Sequence, residues 1–123
     1  MLPRVLLVCA AATLSAAALT GCVANGSAAD AIHVAIADST CAPAVDSAPA
    51  GTVTFELENS GTDVNEFYIL AEDKKRIVGE QENLTPGQQV SFVAELEKGT
   101  YFTACKFQQS GPAVGLAEFT VTD

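Results

Sequence analysis

One histidine, His33, and one methionine, the initiator, are all this chain holds of two side chains on which much metal chemistry relies. A copper centre of the electron-transfer kind needs two histidines, one cysteine and a weak axial ligand, commonly methionine. With one imidazole and no methionine beyond Met1 it cannot be assembled. The same shortage leaves no Ser-His-Asp set and no cysteine paired with an evident base. No glycine loop of the phosphate-cradling kind occurs, and no Cys-x-x-Cys that would suggest thioredoxin-like exchange. The chain therefore reads as a binding protein and not as an enzyme. Cations are scarce as well: 6 Lys and Arg stand against 15 Asp and Glu, a formal charge of −9. Such a surface repels nucleic acid and draws cations at long range. No segment carries a helical stripe of apolar residues, and no internal repeat is found.

What is present begins with an N-terminal segment, Met1 to Cys22, with a single basic residue (Arg4), an Ala-rich apolar run and the ending Leu19-Thr-Gly-Cys22. It is too short and too rich in small residues for a spanning helix and has the organisation of a secretory signal. The ending resembles a bacterial lipoprotein signal, which implies cleavage before Cys22 and acylation there. The expected division is thus a signal peptide over 1–21, a lipidated Cys22 with a small polar tether over 22–31, and one domain over 32–123. Removing Arg4 with the signal would take the charge to −10. A lipid anchor would place the domain on the extracytoplasmic face of a bacterial membrane without a protein span.

Beyond the tether the pattern has period two. Ile32, Val34 and Ile36 alternate with His33, so the imidazole lies on the polar side as a surface residue. Val53, Phe55 and Leu57 alternate with Thr54, Glu56 and Glu58, and Val90, Phe92, Ala94 and Leu96 repeat the scheme. Further strands are expected over 66–70, 76–78, 100–105 and 116–122. Turn residues punctuate them at Ala50-Gly51, Asn59-Ser-Gly61, Asp73-Lys-Lys75, Thr85-Pro-Gly87 and Lys98-Gly99. About seven short strands with this spacing predict an all-β Greek-key sandwich. Tyr101 has the setting of a tyrosine corner.

Several segments together resemble a known family. They are Cys41-Ala-Pro43, Pro49-Ala-Gly51-Thr-Val-Thr-Phe55, Asn59-Ser-Gly61, Glu66-Phe, Val78-Gly-Glu80-Gln-Glu82-Asn-Leu-Thr-Pro86-Gly87 and Gly99-Thr-Tyr101-Phe-Thr-Ala-Cys105. The chain is similar over residues 30–123 to the EfeO-type cupredoxin-like domain, a module of periplasmic iron uptake in bacteria. The resemblance implies a cupredoxin-like sandwich that captures or hands over a metal ion, Fe3+ or Cu2+. It implies ligands at Cys41, Glu66, Glu80 and Cys105, with Glu82 as a further candidate. A carboxylate, Glu66, would stand at the position of the first histidine of a copper site. The loop after Cys105 offers Gln108, Gln109 and Ala113 where a second histidine and a methionine would be needed. The helical half of that family, with its His-x-x-Glu motif, is not present in these 123 residues. The implied partners are accordingly a metal permease or a helical iron-binding protein.

Two readings of the cysteines stay open. An even pair in an exported domain, Cys41 and Cys105, is by default a disulfide, and the protein would then be a stapled accessory or interaction module without metal. As thiolates the same two residues would give a mixed sulfur and carboxylate site, suited to neither a hard nor a soft ion alone.

Overall fold

In the computed structural model residues 30–107 and 111–123 are described. The expected signal peptide, the lipid-bearing Cys22 and nearly all of the tether lie outside them. Nine strands follow one another: β1 (Ile32–Ala37), β2 (Thr40–Pro43), β3 (Ser47–Pro49), β4 (Gly51–Asn59), β5 (Asn65–Leu70), β6 (Ile77–Leu84), β7 (Gln89–Leu96), β8 (Gly99–Phe107) and β9 (Val114–Thr122). They build a four-stranded sheet ordered β2-β1-β4-β7 and a five-stranded sheet ordered β3-β9-β8-β5-β6. β1 runs parallel to β4 and β3 parallel to β9, and every other pairing is antiparallel. Among the described residues nine strands stand where about seven were expected. β2 and β3 are the additions, and β6 runs on to Leu84 instead of ending near 78.

The alternation in the sequence becomes the interior directly. Val34, Ile36, Phe55, Leu57, Phe67 and Ile69 are fully buried between the sheets, while the residues between them on β1 and β4 face outward. Burying each large apolar side chain stabilises by roughly 1.5–3 kcal/mol. Phe55 is the hub: its ring centroid lies 5.5 Å from Phe67, 5.6 Å from Phe119 and 6.3 Å from Phe92, all tilted contacts of the kind aromatic pairs prefer. β5 departs from the rule. Its residues 65–69 are buried on both faces, so the outward side of the five-stranded sheet is partly covered too.

One end of the sandwich is organised by side-chain caps. The Asn59 amide donates to the carbonyls of Asp63 (2.9 Å) and Leu84 (2.8 Å) and accepts from the Gly61 N–H (3.1 Å), which fixes the turn after β4. Asp38, between β1 and β2, accepts from the Thr62 N–H (2.6 Å) and hydroxyl (3.0 Å), and these bonds hold its carboxyl below the ordinary range. A Cβ at Gly61 would lie 2.4 Å from an Asp38 oxygen, so only glycine lets the two turns meet. At the opposite end Tyr101 donates to the Glu97 carbonyl at 2.9 Å, the upstream backbone bond of a tyrosine corner.

Candidate functional site

The best-supported chemistry in the sequence lay with Cys41 and Cys105, and the structure joins them. Their sulfurs are 2.09 Å apart and their Cα atoms 5.7 Å apart. Cys41 is on β2 of one sheet and Cys105 on β8 of the other, so the bond crosslinks the two layers from inside. Both belong to the buried core. Gly115 on β9 makes room for this: a Cβ there would lie 2.4 Å from the Cys41 carbonyl oxygen, and its φ of +65° suits glycine.

The expected carboxylates are elsewhere. Phe67 and Cys105 are register partners across β5 and β8 and face the core, so neighbouring Glu66, which is opposite Lys106, faces the other way. Glu66 is 4% exposed and accepts a hydrogen bond from the Tyr68 hydroxyl. Tyr68 is opposite Glu80 of β6 and Ala104 of β8. Burial chiefly, then the bond to Glu66 and the charges of Glu66, Glu80 and Glu82, push the Tyr68 phenol well above its ordinary pKa of 10.0. Glu80 and Glu82 are exposed residues of an edge strand; Glu80 is the register partner of Tyr68, and Glu82, two positions on, follows it onto the same outward face.

The five expected ligands are therefore not one site. The sheet separates them: Cys41 and Cys105 inside, Glu66, Glu80 and Glu82 outside. The sulfurs are bonded to each other and could serve as ligands only after reduction. His33 is on the outward face of the opposite sheet, half-exposed, with Nε2 2.9 Å from Glu58. Among the described residues no group of three or more His, Cys, Asp or Glu side chains is disposed to hold a metal ion. A copper centre of the two-histidine type does not fit these residues, because its thiolate is consumed and its imidazoles are missing.

What does come together is a patch of oxygen donors, Glu66 with Tyr68 and the neighbouring Glu80 and Glu82, flanked by a cation. The Lys106 ammonium is 5.4 Å from the centre of the Tyr68 ring. Sequence reasoning did not single out Tyr68 or Lys106. The signal was there in the two-residue period, since Tyr68 follows Glu66 on one face and Lys106 follows Cys105 onto the opposite one.

Residues 4–116 match the family of the cupredoxin-like domain. The fold is also that of dithionite-reduced auracyanin from the photosynthetic bacterium Roseiflexus castenholzii, with a TM-score of 0.58 at 18% identity over 76% of this chain and 98% of that one. None of the curated proteins matches the chain. No helix among the described residues is long and apolar enough to cross a membrane.

Proposed function

The chain belongs to the cupredoxin-like domain family, and from that premise we propose that it is a non-catalytic binding module of the cell envelope in which the scaffold's metal cysteine serves as a structural staple. One observation carries this reading: Cys105 is fully buried and bonded to Cys41. A sulfur in that state is no ligand and no nucleophile. The lipoprotein-type ending at Cys22 and the disulfide support a place outside the cytoplasm, tethered to a membrane. Within the family the EfeO-type domain remains the subgroup that the Glu80 to Gly87 segment resembles.

A second reading is favoured by the burial of Glu66. A carboxyl that is 4% exposed on an outward face, bonded to a phenol and sharing that face with two further acids, offers the oxygen donors that hard cations use. On this reading the domain captures or hands over ferric or cupric ion through Glu66, Glu80 and Glu82, with Tyr68 beside them, for a permease or a helical iron-binding partner. The side chains of Glu80 and Glu82 would have to turn toward Glu66 to do so.

Native mass spectrometry of the air-oxidised protein incubated with cupric or ferric ion separates the two. The first reading expects a mass two hydrogens below the dithiol form and no adduct. A one-to-one adduct on that same form, abolished by Glu66→Gln with Glu80→Gln, establishes the second. Copper bound only by the reduced protein, with intense sulfur-to-copper absorption, would sink both.

A further inference from the structure

The charge of this chain is distributed unevenly in a way that its total conceals. Of the 6 Lys and Arg residues, three lysines rim a single groove on the outward face of the five-stranded sheet. Its floor is apolar: Tyr68 and Leu70 of β5, Ala104 of β8 and Ile77 of β6. Register accounts for that, since Tyr68 is opposite Ala104 and Leu70 is opposite Ile77. Lys74 and Lys75, from the β5–β6 turn, stand at one end, and Lys106 stands over Tyr68. The Lys74 ammonium lies 4.6 Å from the Phe102 ring centre, so an aromatic face, not a carboxylate, holds it in place. Among the described residues the ion pairs within 4 Å are His33 with Glu58 and Lys98 with Asp123, and none uses these three lysines.

In a protein with more than twice as many acids as bases, three lysines around an apolar floor, none with a carboxylate within 4 Å among the described residues, call for an anion. We propose that this groove, about 310 Å³ in volume, binds a small amphipathic anion, an aromatic or short aliphatic carboxylate or sulfonate. Its body lies on Tyr68, Leu70 and Ile77, and its head sits between Lys74 and Lys75. The volume is at the lower end of small-molecule sites and too small for a folded partner segment. The acids that face the groove decide the orientation. Glu66, Glu80 and Glu82 act at the Tyr68 side, which repels the anionic head toward the turn, while Asp73 in the turn accepts from the N–H groups of Arg76 and Lys75 and is held ionised by these bonds first and by the charges of Arg76 and Lys75 after them. The site is independent of the disulfide and so of the stapled-module reading; it shares Tyr68 with the carboxylate patch of the second reading, but its anchoring lysines, Lys74 and Lys75, are no part of that patch.

The test is a titration of the 15N-labelled full chain with 4-phenylbutyrate, followed by amide chemical shifts, beside its neutral analogue 4-phenylbutanol. Saturable shifts centred on Tyr68, Leu70, Ile77 and Ala104 are expected, weakened about tenfold in the Lys74→Gln, Lys75→Gln double variant and unaffected by Lys98→Gln. The alcohol should bind about as weakly as the double variant binds the acid. Equal binding of acid and alcohol overturns the proposal, as do shifts located elsewhere. Binding to vesicles of anionic phosphatidylglycerol without binding of the small anion also overturns it, since the lysines would then read a lipid surface.

Discussion

At Tyr68 burial and three carboxylates act in the same direction, and the result is measurable. The phenol keeps its proton in the folded protein at pH values where the unfolded chain loses it. A group whose pKa is raised by folding contributes stability that is fully present below its unfolded pKa, here 10.0, and that is lost as pH rises beyond it. Urea melts between pH 9 and 11.5 should therefore show falling stability, with a shallower fall in Tyr68→Phe; equal slopes would mean that the environment of the phenol has been misread. Thr103 offers an opposite case. Its hydroxyl is wholly buried on β8 and has no partner among the described residues, which costs about 1–3 kcal/mol relative to a satisfied group. Thr103→Val keeps the shape and removes the orphan, so thermal unfolding should shift upward by the equivalent of about 1 kcal/mol. A lower melting temperature would point to a bound water serving that hydroxyl.

Among the elements, β4 and β7 were the most legible. Val53, Phe55 and Leu57, and likewise Val90, Phe92, Ala94 and Leu96, alternate so strictly that both existence and inward face follow from the sequence. Phe55→Ala should cost about 3–5 kcal/mol by chemical denaturation, because it empties the centre of four converging rings. β2 and β3 were invisible for a physical reason. They are four and three residues long, and each ends in proline, so they persist through pairing with β1 and β9, not through propensity. The β6 segment Gly79-Glu80-Gln81-Glu82-Asn83 looks like loop because edge strands carry polar side chains, and only its pairing with β5 makes it a strand. The candidate site suffered from the same limit. The resemblance supplied plausible ligand types, but which side of β5 and β8 each faced depended on register. Adjacent Phe67 and Glu66 differ by one position and point into different worlds.

For the molecule as a whole the disulfide is the dominant long-range tie. It spans 64 positions, and in the chain-entropy account closing such a loop stabilises by about 4 kcal/mol. Replacing Cys41 and Cys105 together by Ser should lower the unfolding free energy by about that amount without changing the strand content seen by circular dichroism. A variant that stays within 1 kcal/mol of the parent would show that sheet packing alone holds the layers together.

That tie also sets how the protein responds to being pulled. Tension applied at the two ends can unravel only the segment before Cys41 and the segment after Cys105; the 64-position stretch between them cannot lengthen. At about 3.5 Å per extended residue, some 220 Å of contour is withheld. An optical trap should record a short extension with the bond intact and an added release of about that length once it is reduced. Under load the domain would thus give up length only at its margins, while the stretch closed by the bond adds none.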